Sequence, residues 1–194
     1  MSRDFASLPD EELARRTTDG DARAFDTLVR RYLRPALAVA LEFADARDDA
    51  EDLVQEAFHR ALRRMEDFDE RRSFRSWFFT ILRNLGRNLV AGRRRWQMGD
   101  LPETLAAEQR SPHDDAEWSE TSERLSAAIE GLPKMQRACL RLFDLEGFSN
   151  VEVADMLGIN PGTVRTHVHR ARRALREIVP RIGGSDSREE NDED

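Results

Sequence analysis

The sequence holds one cysteine, one tyrosine and, among 31 basic residues, one lysine. A lone cysteine excludes a disulfide framework and any cysteine-based zinc site. No uninterrupted apolar run approaches the roughly 18 residues that span a bilayer. The N-terminal MSRDFASLPDEEL is acidic and lacks the apolar stretch of a signal peptide. Val, Ile and Thr are sparse and alternation is absent, which argues against sheet. There is no glycine-rich phosphate loop, no nucleophile–base constellation and no internal repeat. What is present is 194 residues with 36% charged and 39% apolar types, enough for one or two modest cores. The expectation is a soluble, cytoplasmic, all-α protein that is not an enzyme and has no catalytic residue, metal or cofactor.

The formal net charge of −7 speaks at first against a nucleic-acid binder. Its distribution reverses that. Between Arg71 and Arg95 stand eight arginines and no acid, and between Asn160 and Arg181 six arginines and one glutamate. These islands carry +8 and +5, leaving −20 elsewhere. Clustered positive charge marks a polyanion footprint, and arginine suits phosphates and base edges better than lysine does.

Ala, Leu, Arg and Glu dominate, and the pattern predicts helix nearly throughout. A first helix fits residues 9–17, with Gly20 as breaker. A second fits 21–43, with Phe25, Leu28, Val29, Tyr32 and Leu33 as its apolar stripe and a kink at Pro35. A third fits 48–65, on Leu53, Ala57, Ala61 and Met65 widened by Phe58 and Leu62. A fourth fits 73–91, with Ser73 as N-cap and Gly92 as stop. Residues 96–121 are acidic, hold Gly99, Pro102 and Pro112, and sustain no apolar face; they read as a flexible linker. A second helical unit follows over 122–182. The polar tail, 183–194, reads as disordered.

In that unit Leu132 and Pro133 open a helix whose core face is Met135, Ala138, Cys139, Leu142 and Phe143. Ser149 or Asn150 then caps a short helix carrying Val151, Val153, Ala154 and Leu157. Gly158 ends it with the positive φ of a tight turn. Asn160 caps the next helix and Pro161 takes its first turn. Short helix, glycine turn and second helix form a helix-turn-helix. Over 161–178 the second helix is about 27 Å long. Val164, Val168, Ala171 and Leu175 face inward. Arg165, Thr166, His169 and Arg170, with Thr163 at the start, are candidates for base edges; Arg172, Arg173 and Arg176 are candidates for phosphates. His167 and His169 diverge on a helix and do not make a metal pair.

The segment from Arg71 to Val90 interleaves aromatics with arginines, the combination that holds single strands by charge and stacking. Helical spacing assigns Phe74, Phe78, Ile81, Leu82 and Leu85 to the core. Arg71, Arg72, Arg75, Trp77, Arg83, Asn84, Arg87 and the cluster Arg93, Arg94, Arg95 remain for DNA. Residues 66–72, including Phe68, form a loop suited to an extruded base. Asp48, Asp52 and Glu56 align at spacings of four; they read as a solvated face, a face docking on a basic protein partner, or the carboxylates of a metal-dependent nuclease.

The run Ala50-Glu51-Asp52-Leu53-Val54-Gln55-Glu56-Ala57-Phe58, then Phe74-Arg75-Ser76-Trp77 through Arg83-Asn84, then Gly162-Thr163-Val164-Arg165-Thr166-His167-Val168-His169-Arg170-Ala171-Arg172 resembles, in that order, bacterial RNA polymerase sigma factors of the extracytoplasmic-function type. The resemblance implies two small helical domains: a region 2 bundle over 1–96 and a region 4 helix-turn-helix over 122–182, joined by the acidic linker 97–121. It implies that Asp52, Leu53, Gln55, Glu56 and Phe58 dock on the clamp helices of the RNA polymerase core. It further implies that Phe68 and the basic face from Arg71 to Arg87 capture and melt the minus-ten promoter element, and that the reading helix binds minus-thirty-five duplex DNA. An anti-sigma factor is an implied partner; membrane insertion and obligate homo-oligomers are not. Asn88 departs from the aspartate many members carry, and Gly86 weakens its helix by about 1 kcal/mol relative to alanine. The rival reading is a two-domain helix-turn-helix regulator that works without being a polymerase subunit. Two small sites tethered through a third body gain effective concentration for each other, so the free chain is expected to bind DNA weakly and the holoenzyme tightly.

Overall fold

The computed structural model describes residues 5–97 and 120–178. Most of the acidic linker and all of the acidic tail, with the expectations attached to them, lie outside the described residues. Among those described there is no strand. A 3-10 turn, Phe5–Ser7, precedes α1 (Asp10–Thr18), α2 (Ala22–Ala40) and α3 (Arg47–Arg63); a second such turn, Met65–Asp67, leads to α4 (Phe74–Gln97). The second unit comprises α5 (Glu120–Glu130), α6 (Lys134–Leu140) running into a π-helical turn (Arg141–Leu145), α7 (Asn150–Leu157) and α8 (Pro161–Ile178).

Each start has a local cause. The first turn of α1 is acidic, as a helix N-terminus favours, and it also ties the bundle together. Asp10 pairs with Arg31 and accepts from the Tyr32 hydroxyl, while Glu11 accepts the Phe74 N–H at the start of α4 at 3.2 Å. Asp21 caps α2 through the Arg23 N–H at 3.1 Å. Pro35 lies inside α2 without ending it and is fully buried. The expected cap on α4 is present, though long: Ser73 Oγ accepts the Ser76 N–H at 3.5 Å.

Gly92 does not stop α4, which continues to Gln97. Glycine weakens a helix but ends it only where the chain turns left-handed, and Gly92 is not among the positive-φ glycines. The next residue, Arg93, anchors this end instead, through Asp45 at 2.8 Å and Asp49.

The first core is aromatic. Phe74, Phe78 and Phe79 are fully buried around Tyr32 and Phe58, with Phe58 and Phe78 stacked at 4.6 Å. Burying a side chain of this size contributes roughly 1.5–3 kcal/mol. Leu33 and Leu62, expected on the stripes, stand 49% and 45% exposed. Each is one residue round the helix from a buried neighbour, Tyr32 and Ala61, and so falls at the border of its stripe.

The second unit follows its turn grammar. Ser149 caps α7 in a reciprocal box with Glu152, Gly158 closes it at φ +69°, and Asn160 Oδ1 accepts the Gly162 N–H at 2.8 Å to start α8. Val153, Ala154, Met156, Leu157, Val164, Val168 and Ala171 form its interior. Val151, expected inside, is 67% exposed. The two units, separate in sequence, meet along α4 and α7, and one buried cluster runs through both.

Candidate nucleic-acid interface

Alternation of buried and exposed positions along α8 sends Val164, Val168 and Ala171 inward. That leaves Thr163, Arg165, Thr166, His169, Arg170, Arg172, Arg173 and Arg176 exposed. Thr166 bonds back to the Gly162 carbonyl at 3.0 Å. Arg172 is not free: Asp144 grips its guanidinium through both oxygens, with 3.1 Å from Nε, and the Phe143 ring lies 5.6 Å beneath it. Asp144, from the π-helical turn, thereby fixes where that arginine points. His167 is half-buried and His169 exposed, so the two diverge as their spacing requires.

On α4 the residues divide in two. Arg71, Arg72, Asn84 and Arg87 are exposed, with Arg87 donating to Asn84 Oδ1 at 3.1 Å. Arg75, Trp77 and Arg83 are half-buried. Phe68, on the loop after α3, lies 5.2 Å from Trp77, which in turn sits 5.8 Å from Phe74. Phe68 and Trp77, half-buried over the fully buried Phe74, abut the basic face. Of the arginine cluster at the end of α4, Arg93 is held by Asp45 and Asp49, and Arg94 is exposed.

On α3 the aligned acids Asp48, Asp52 and Glu56 are all exposed. Asp52, Gln55 and Glu56 are exposed, whereas Leu53 and Phe58 are each only 7% exposed and belong to the core. Those two pack into the bundle beneath the helix. Glu56 pairs with Arg60 at 2.6 Å. Among the described residues no group of three or more His, Cys, Asp or Glu side chains could hold a metal ion, and no described helix is long and apolar enough to cross a membrane.

Some residues that shape these surfaces have little sequence signal. Gly86 is one: a Cβ there would stand 2.4 Å from Phe43 Cγ and Cδ2, so the glycine admits the ring. Glu42, at the end of α2, has a buried Oε1 without a hydrogen-bond partner. Burial pushes its carboxyl up to about 7, against the pull of nearby Arg137 and Lys134. Burial, with Glu42 adding its charge, pushes the Cys139 thiol up to about 12, which makes it inert packing. Glu152 is held below the usual carboxylate range by the Ser149 N–H first and by Arg75 last. Only the capping-box spacing of Ser149 and Glu152 could have been read beforehand.

A basic, aromatic-lined helix beside a capped helix-turn-helix with an exposed arginine face defines a two-part DNA-binding protein of the transcription class. Two family models match the chain: sigma-70 region 2 over residues 28–96 and sigma-70 region 4 over residues 122–175. The chain belongs to the sigma-70 family of RNA polymerase sigma factors, in its extracytoplasmic-function (ECF) group. It is 35% identical over 159 residues to the ECF RNA polymerase sigma factor SigE of Mycolicibacterium smegmatis, covering 80% of this chain and 62% of that protein's length. Against the ECF RNA polymerase sigma-E factor of Escherichia coli K12 it is 31% identical over 179 residues, 87% of this chain and 93% of that protein. Among solved structures it is similar to the sigma factor RpoE of Bartonella quintana in complex with the anti-sigma factor NepR. There the TM-score is 0.63 at 28% identity, over 84% of this chain and 100% of that one. It is also similar to CnrH in complex with the cytosolic domain of CnrY, with TM-score 0.57 at 27% identity, over 88% of this chain and 97% of that one.

Proposed function

We propose that this chain is a promoter-selecting initiation subunit whose own residues recognise and position DNA while the polymerase core performs the chemistry. Three surfaces in chain order carry the reading: the exposed α3 strip of Asp52, Gln55 and Glu56, the α4 face on which Arg71, Arg72, Asn84 and Arg87 are exposed and Arg75, Trp77, Arg83 and nearby Phe68 half-buried, and the exposed α8 face from Thr163 to Arg176. The α3 strip suits a basic site such as the polymerase clamp helices. The α4 face suits an unstacked strand, with phosphates on arginine and bases against Phe68 and Trp77. The α8 face suits a major groove, with Arg165, Thr166, His169 and Arg170 toward base edges and Arg172, Arg173 and Arg176 toward phosphates.

The region boundaries follow as 1–96 for the first DNA-reading unit and 122–182 for the second. The chain works in the cytoplasm, where polymerase and promoter are. Control by an anti-sigma protein extends to this chain what the Bartonella relative's complex shows for that protein. The deciding experiment is transcription in vitro with purified polymerase core on genomic fragments. Starts at defined promoters that require this chain are the expected result. Binding of the chain to its DNA sites with no effect on core polymerase would replace this reading with that of a free-standing regulator.

A further inference from the structure

Phe143 and Asp144 are neighbours in the π-helical turn that follows α6, where the Glu146 N–H reaches back to the Arg141 carbonyl at 2.9 Å. Such a turn is wider than an α-helical one and recurs at functional positions. Here it sets both side chains against one arginine of α8. Asp144 Oδ2 accepts the Arg172 Nε–H at 3.1 Å, Oδ1 accepts from Nη2, and the Phe143 ring centre lies 5.6 Å from the guanidinium carbon. One edge and one face of the guanidinium are thus engaged. Nη1, with two protons to donate, makes no hydrogen bond to any described residue. The Arg172 side chain stays 50% exposed and that of Asp144 26%, so the arginine reaches past its carboxylate into solvent. Along α8, Arg165, His169, Arg172 and Arg176 follow one another at helical spacing, which puts Arg172 on the line of the candidate DNA contacts.

From this arrangement we infer that Asp144 is a positioning residue for duplex binding: it locks the Arg172 guanidinium edge-on over Phe143, with Nη1 presented to a DNA phosphate. The inference rests on the reading of α8 given above. The pair differs in two respects from an ion pair that only steadies the fold. It ties the π-helical turn to the exposed face of α8, away from the buried Val164, Val168 and Ala171 that hold the unit together. A two-oxygen grip with a ring beneath also fixes the plane of the guanidinium, which a single contact to an exposed arginine does not. The rigid fork of five donors lets arginine serve a carboxylate on one edge and a phosphate on another. Electrostatics opposes the arrangement, because Asp144 sets a negative charge beside a polyanion and by charge alone weakens binding. Positioning outweighs that repulsion, since an arginine already aimed loses little side-chain freedom on contact.

The two effects have opposite signs, and that decides between them. The full chain is titrated into a fluorescein-labelled, random-sequence duplex of about 30 base pairs and read by anisotropy across salt concentrations, because phosphate contacts ignore sequence and set the salt slope. Arg172→Ala is expected to weaken binding and to lower the salt slope by about 1. Asp144→Ala is expected to weaken binding roughly threefold to tenfold although it removes a negative charge, and to add no loss in the Arg172→Ala background. Asp144→Asn keeps one acceptor and is expected to weaken binding too; it decides the matter if circular dichroism shows that the alanine variant has lost helix. Unchanged or tighter binding by the deciding Asp144 variant, or a loss that persists without Arg172, would overturn the inference. Such a failure alongside weakened Arg170→Ala and Arg172→Ala variants strikes the inference alone. If those two variants both bind like wild type, the reading of α8 falls and the inference with it.

Discussion

Replacing Gly86 with alanine tests how α4 is seated. In an isolated helix the change is favourable by about 1 kcal/mol, because glycine loses more backbone freedom. Here the added Cβ would lie 2.4 Å from Phe43 Cγ and Cδ2 and 2.9 Å from Phe43 Cβ. Those atoms are at the root of the ring, so a small tip rotation does not relieve the overlap. Phe43 must leave, forfeiting much of the ~1.5–3 kcal/mol that burying such a side chain supplies, or the helix must move, at about 1–3 kcal/mol for overpacking. Setting a cost near 2–3 kcal/mol against a gain near 1 predicts net destabilisation of about 1–2 kcal/mol. Gly92, in the same helix, is the control: nothing lies within 4 Å of a Cβ there, so Gly92→Ala should stabilise by up to about 1 kcal/mol. Urea denaturation followed by circular dichroism reads both. Opposite signs from two glycine-to-alanine changes in one helix are the expected result. A stabilised Gly86→Ala variant would refute the claim that Phe43 requires a glycine at that position.

Glu42 should make stability pH-dependent. Its carboxyl is raised by burial to about 7, so the folded state holds a proton that the unfolded chain has already lost. Its contribution is therefore complete below the ordinary carboxylate value and disappears as pH rises through about 7. After discounting for its remaining solvent contact, the loss is on the order of 1–2 kcal/mol; Glu42→Gln should flatten the denaturation midpoint between pH 5 and 8, and an unchanged slope would remove Glu42 as the cause. Ser149→Ala removes one half of the α7 capping box and should cost about 1 kcal/mol, read as a lowered denaturation midpoint, with Ser149→Asp largely restoring it. Asp52→Arg with Glu56→Arg should abolish co-purification with polymerase core while leaving the denaturation midpoint within about 0.5 kcal/mol of wild type, because both side chains are exposed.

What the sequence made legible follows from how local each signal is. The turn from Ser149 to Pro161 is specified by adjacent residues, and Ser149, Gly158 and Asn160 all act as their chemistry dictates. The inward face of α8 follows from spacing alone, because Val164, Val168 and Ala171 have no competing role. Gly92 does not stop α4 because a glycine ends a helix only in a left-handed conformation, which composition does not report. Leu53 and Phe58 illustrate a different limit: a family motif names a whole helix, and only packing separates its exposed residues from those beneath. Gly86 looked like a weakness from sequence, since its benefit belongs to Phe43, more than forty positions away. The α4–α7 contact had no sequence signal, for it joins residues more than seventy positions apart.

Arg83 couples two properties over evolutionary time. A substitution at Arg75 or Arg83 on α4 also alters how firmly α4 holds α7. A substitution at Asp155 loosens the contact with Ser76, and one at Glu152 loosens the contact with Arg75 and weakens the α7 capping box as well. Lineages with altered residues at 75 and 83 should carry matched alterations at 152 and 155.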